Sequence, residues 1–188
     1  MAEKYGVAVI ADEIYEDMTF GENKYIPLAK LSKSVPVLTC SGLAKRFLVP
    51  GWRFGWIAIK DAGNDLSEIR RGLFDLSGLI IGANTLIQAA LSEFFENTPE
   101  TFYANTNKLL EANAETICNL LGRVEGLTVI RPQGSMYALV RIEPGLFADF
   151  EANDDIKFSE LLLAEQSVSV LPGTVSWKVK DCKAILSI

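Results

Sequence analysis

Histidine is absent from the 188-residue chain, which removes imidazole general bases, serine–histidine and cysteine–histidine nucleophile pairs, and almost every zinc or non-haem iron site. Cysteine is scarce: Cys40, Cys118 and Cys182 are far apart, odd in number and without a C-x-x-C pair. Neither a disulfide framework nor a structural metal is expected, and three inert buried thiols in a reducing, cytoplasmic setting are. Long apolar runs are also missing. Val7 to Ala11 is too short for a secretory or spanning segment, and Leu76 to Leu91 is broken by Ser77, Asn84, Thr85 and Gln88, so it reads as a core helix of a soluble protein with no membrane partner. Positive charge is in deficit, 18 Lys and Arg against 24 Asp and Glu, and the net charge of −6 argues against nucleic acid as a main partner while leaving room for a local basic site. Any chemistry therefore falls to Lys, Asp, Tyr, Arg, Ser or Cys.

What is present is a globular composition, 49% hydrophobic and 22% charged, sized for one compact domain with or without a small second one. Val7 to Ala11 is a continuous, β-branched run ending in Asp12-Glu13, the pattern of a buried parallel strand whose carboxyl end opens into a site. Val35 to Cys40 repeats that pattern and ends at Ser41-Gly42, with a short helix expected between Ile26 and Leu31. Trp56 to Ile59 follows a turn at Pro50-Gly51, close enough to pair antiparallel with its neighbour. Leu66, Ile69, Leu73 and Leu76 then switch to helical spacing; a second helix spans Leu86 to Phe94, and a third runs from Phe102 to about Leu121. Beyond Gly126, a hairpin is expected from Leu127 and Val129 to Met136–Ile142, then a helix from Asp155 to Glu165 and a strand from Val168 to Leu171. A domain boundary is placed in the third helix, giving units of residues 1–104 and 105–188. The acidic stretch Glu151 to Asp155 reads as a solvated loop before a helix N-terminus.

Three short segments carry the reactive groups: Asp12-Glu13-Ile14-Tyr15, Ser41-Gly42-Leu43-Ala44-Lys45, and Pro50-Gly51-Trp52-Arg53-Phe54-Gly55. In an open α/β sheet they fall at one carboxyl edge, where ligands bind. Together they offer a carboxylate, a phenol, a hydroxyl, an amine and a guanidinium, the partners that pyridoxal 5'-phosphate requires. A neutral Lys45 amine can form an imine with the cofactor aldehyde, and Asp12 can pair with the protonated ring nitrogen. Tyr15 can donate to the ring phenolate oxygen, while Arg53 and Ser41 can hold the phosphate.

These motifs resemble the fold type I pyridoxal-phosphate aminotransferases, where Asp-x-x-Tyr after one strand precedes a lysine and Gly-x-Arg-x-Gly follows it. Here Arg53 lies eight residues beyond Lys45, flanked by Gly51 and Gly55. Likeness continues through Tyr25-Ile26-Pro27-Leu28, Arg131 to Tyr137 and Ala164 to Val168. The resemblance implies an incomplete α/β fold of that type: a partial large-domain sheet with helices, followed by a small α+β C-terminal domain. It further implies transamination of an aromatic amino acid, L-tyrosine with 2-oxoglutarate as acceptor, in a homodimer when the chain is full length, with Lys45 shuttling the proton. Its small-molecule partners are then an amino acid and a 2-oxo acid.

Several features depart from the family pattern. Residues that the family places before the Asp12 strand, which complete the cofactor cage, have no counterpart here, and no arginine follows Arg141 to clamp a substrate carboxylate. Lys178 or Lys180 is a point charge and a poor substitute for that planar fork. Gly42 stands three residues before Lys45, where the family commonly has a phosphate-binding hydroxyl, and Phe54 replaces a more usual aliphatic residue. Impaired turnover is therefore expected, and a catalytically dead fragment that binds a partner is the competing reading, beside a carbon–sulfur lyase or alanine-type aminotransferase. Pro132 to Tyr137 reads equally as a pocket wall and as a hairpin turn, and Trp52 and Trp56 as core or interface aromatics.

Overall fold

The computed structural model describes residues 1–143, 155–173 and 185–187. Lys178, Lys180, Cys182 and most of the acidic stretch from Glu151 lie outside them. The chain divides into two compact units, residues 1–19 with 24–105 and residues 20–23 with 106–188, the division falling inside one long helix, α5 (Glu100–Leu121).

In the first unit, β1 (Val9–Asp12), β2 (Val37–Gly42) and β3 (Gly55–Lys60) form a sheet in that order, β1 parallel and β3 antiparallel to β2. Around them lie α1 (Ala2–Tyr5), α2 (Leu28–Leu31), α3 (Ser67–Leu79) and α4 (Thr85–Asn97). The strand–connection–strand pattern and the antiparallel third strand match the alternation read from the sequence. The four-residue α1 had no hydrophobic period to announce it. Val37, Leu38 and Leu43 are buried, but Ile10 is 74% exposed, so β1 is not the fully covered strand its apolar run suggested. The reason is position: β1 is an edge strand of this sheet, and Ile10 shares the uncovered face with Asp12.

The apolar stretch from Leu76 to Leu91 also departs from expectation. Left-handed Ile81 and Gly82 break it, and the Asn84 side chain accepts from Leu86 N at 2.9 Å to start α4. Leu76, Leu79, Ile80, Ile81 and Leu86 are all exposed. Ring packing instead concentrates on an aromatic cluster at the lysine-bearing loop, of which Phe47 is the buried member. The Phe47 ring lies 5.5–5.8 Å from those of Phe94, Phe95 and Tyr103, and Trp52 and Trp56 add contacts to Phe94 and Phe95. Trp52 and Trp56 are half-buried and pack edge-on or tilted against that cluster, and the anchoring of Phe47 holds the backbone two residues beyond Lys45.

In the second unit, β4 (Leu127–Ile130), β5 (Leu139–Ile142), β6 (Leu171–Pro172) and β7 (Ile185–Ser187) form an antiparallel sheet in the order β4-β5-β7-β6. The expected β4–β5 hairpin is present, and α6 (Asp155–Gln166) packs Phe158 and Leu162 against Val140, Ile142 and Val170. The strand expected from Val168 shrinks to Leu171–Pro172. Left-handed Ser167 and amide bonds from Ser167 and Val168 back to Leu163 and Leu162 spend the preceding residues on closing α6. Among the described residues no helix is long and apolar enough to cross a membrane.

Candidate active site

Parallel pairing sets the position of Asp12, which lies level with Cys40, and Glu13 N continues the ladder to Cys40 O at 2.9 Å. The two strands therefore end together, and each feeds a loop at the same edge. The first loop turns tightly, with Glu16 N and Met18 N donating to Glu13 O and Tyr15 O and with Asp17 left-handed. The second is pinned at both sides of Lys45: Leu43 N donates to Phe54 O at 3.0 Å and Leu48 N to Lys45 O at 3.1 Å.

This architecture brings Lys45 to Tyr15, the ammonium nitrogen lying 5.5 Å from the ring centroid. Asp12 is exposed, and one of its carboxylate oxygens accepts weakly from Ile14 N at 3.4 Å. Arg53 sits at the same edge, two residues before β3 begins at Gly55 opposite Gly42, in the left-handed cap of a short helical turn (Pro50–Trp52), and donates from Nη1 to Pro50 O at 2.9 Å. Among the described residues neither Lys45 nor Arg53 is ion-paired.

Ser41 is placed differently. One residue beyond Cys40, it falls on the sheet face opposite Asp12, is buried, and donates to Glu16 Oε1 at 3.2 Å. Glu13, which the sequence presents as a polar strand end, is a strap. Its carboxylate accepts from Tyr25 Oη at 2.5 Å and from Leu28 N at 2.7 Å, tying the Tyr25–Leu28 segment to the residue after Asp12. Burial of the phenol and its bond to Glu13 push the Tyr25 pKa well above the ordinary tyrosine value. Glu13, Glu16, Asp17 and Arg46 escape sequence reading because their partners lie 12 to 29 residues away; charged neighbours beside Tyr15 and Lys45 are the only local signal.

Glu16 is the member whose charge burial opposes. Burial raises its pKa above 4.5, against the lowering effects of the Ser41 hydroxyl and Arg46. A raised native value means that its stability contribution is complete below pH 4.5 and is lost as pH climbs through the native value. Glu16→Gln is therefore expected to raise the melting temperature at neutral pH relative to its effect at pH 4, checked by thermal melts across that window.

The Pro132–Tyr137 segment belongs to the second unit, where Gln133 O accepts from Phe20 N at 2.9 Å and lines a cavity of about 320 Å³ with Phe20, Glu111, Cys118 and Arg131. Arg131 is ion-paired with Glu115 at its rim. Cys40 and Cys118 are free, half-buried thiols.

Residues 1–178 match the family model described as aminotransferase class I and II. The chain belongs to that family. Tyrosine aminotransferase of Mus musculus is 48% identical over 175 residues, covering 93% of this chain and 38% of the mouse protein. The chain thus spans well under half the length of such relatives. Among solved structures, tyrosine aminotransferase from Leishmania infantum superimposes with a TM-score of 0.89 at 30% identity, covering 99% of this chain and 44% of that one. An alanine aminotransferase from Pyrococcus furiosus gives 0.85 at 29% identity, over 98% of this chain and 45% of the other. The aminotransferase fold expected from the motifs is therefore present in part, as a mixed α/β chain.

Proposed function

We propose that this chain carries the lysine-bearing part of a pyridoxal-phosphate-dependent aminotransferase that takes an aromatic amino acid, L-tyrosine, with 2-oxoglutarate as acceptor. The observation that carries this reading is the meeting of the Lys45 amine and the Tyr15 phenol at the sheet edge where β1 ends in Asp12, within a chain of this family. The donor set fits the cofactor: a carboxylate, a phenol, an amine and a guanidinium, with the amine and guanidinium unpaired by any acid among the described residues. When bound, the cofactor supplies an electrophilic aldehyde and an electron-withdrawing pyridine.

In this reading Asp12 holds the positive ring nitrogen, Tyr15 donates its hydroxyl to the ring oxygen, and Arg53 grips the phosphate. Among the described residues Arg53 commits only Nη1, to Pro50 O, which leaves its other N–H groups for an anion. Lys45 is the amine for the aldehyde and, as a free base, holds and returns the proton of the substrate α-carbon. Ser41, engaged by Glu16 on the opposite face, serves by steadying the loop of Tyr15 and not as a phosphate ligand. Homodimerisation and a cytoplasmic location are part of the same proposal.

The test is direct. The purified chain is mixed with pyridoxal phosphate, reduced with borohydride and digested, and the modified peptides are mapped by mass spectrometry. Label concentrated on Lys45 is the expected result; a dominant label on another lysine removes the reading.

A further inference from the structure

Three consecutive side chains of the loop after β1 meet three side chains at or beyond the end of β2. The Tyr15 ring lies under the Lys45 amine, the Glu16 carboxylate accepts from Ser41, and the Asp17 carboxylate pairs with Arg46, Oδ2 to Nη2 3.1 Å. Of the three links, only the last joins two full charges, and it lies one residue beyond Lys45. The guanidinium is also confined by rings, at 4.7 Å from the centroid of Tyr103 and 5.5 Å from that of Phe47. Its side chain is 24% exposed, and its Nε is buried with no hydrogen-bond partner. A group held on one side by a carboxylate and on the other by two rings has little rotational freedom, so the backbone at position 46 is fixed from both directions.

We propose that Arg46 and Asp17 are positioning residues for Lys45: their ion pair, braced by Tyr103 and Phe47, locks the two loops in the register that sets the Lys45 amine against Tyr15. The idea rests on the cofactor reading above and assigns work to two residues outside the proposed donor set. The lock acts on where the amine stands and not on whether the sheet forms, since β1 and β2 are already paired along their length. Lysine at position 46 keeps the charge but loses the planar face for Tyr103 and the fork for Asp17.

The experiment compares wild type, Asp17→Asn, Arg46→Lys, Asp17→Arg alone and the exchanged pair Asp17→Arg with Arg46→Asp. Each chain is treated with pyridoxal phosphate and borohydride, and the share of label on Lys45 relative to the other lysines is read by peptide mass spectrometry. Far-UV circular dichroism is recorded in parallel. Asp17→Asn changes a half-exposed carboxylate and is expected to leave the circular dichroism unchanged while lowering the Lys45 share at least threefold. Arg46→Lys is expected to fall between that and wild type, and the exchanged pair to recover more label than Asp17→Arg alone. An unchanged Lys45 share in folded Asp17→Asn overturns the positioning role while leaving the cofactor reading intact. Label on a different lysine in wild type removes the cofactor reading itself. If Arg46→Lys loses its secondary structure, Asp17→Asn alone decides.

Discussion

Lys45→Ala is expected to reduce borohydride-fixed pyridoxal incorporation to the background of the other lysines, with the far-UV spectrum unchanged. The side chain is half-buried and its ammonium makes one ring contact, with Tyr15, so its removal deletes the reacting amine without opening a sealed core. Asp12→Ala tests a different role at the same edge. Losing a charge-assisted hydrogen bond costs roughly 1.5–3 kcal/mol, and water competes at an exposed carboxylate, so the low end applies. About tenfold more cofactor is then needed for half-maximal labelling of Lys45, with the plateau retained. Total incorporated label for Lys45→Ala, and a titration of cofactor against Lys45 label for Asp12→Ala, separate the roles. If Lys45→Ala incorporated as much label as wild type, the assignment of the reacting amine would be wrong.

Gly42→Ala carries the largest expected effect on stability. A Cβ there would stand 2.7 Å from Phe54 O and 3.1 Å from Gly55 Cα, both backbone atoms, where β2 and β3 close on each other. Neither can give way as a flexible side chain would, and Phe54 O is the acceptor that fixes Leu43 at the start of the lysine loop. A loss of about 3 kcal/mol follows from overpacking of this kind. Two other glycines calibrate it. At Gly55 a Cβ would approach Ser41 O at 3.1 Å, so alanine there costs less, and at Gly51 nothing lies within 4 Å, so alanine there is neutral or slightly stabilising. Denaturant melts should rank the three as Gly42→Ala least stable, then Gly55→Ala, then Gly51→Ala; equal stability of the first and last would contradict the close approach. The same contact explains the missing hydroxyl three residues before Lys45: with this backbone, no side chain fits at that position.

Much of this was legible from local pattern. The apolar runs ending at Asp12 and Gly42 have period and composition that a strand buries well, and the structure places β1 and β2 there in parallel. Helical spacing located α3, α4 and α5, because the repeat of apolar residues persists over many turns. The candidate donor set was equally plain, since Asp12, Tyr15, Lys45 and Arg53 stand in motif order. Failures came where a single residue's conformation or a long-range contact decided. Left-handed Ser167 shortened the strand expected from Val168, and nothing in the sequence of Ser41 says that it faces Glu16 across the sheet from Asp12.

The amino-acid sequence by itself determined the chemical inventory and the strand–helix order, because residue type and hydrophobic period are local properties of the chain. Tertiary structure alone decided which groups meet: Lys45 with Tyr15, Asp17 with Arg46, and Glu13 with Tyr25 and Leu28. Such pairs join residues a dozen to thirty positions apart, and their proximity depends on strand register and on loop turns closed by backbone hydrogen bonds. Those are set by the packing of the whole unit and leave no imprint on the neighbouring sequence.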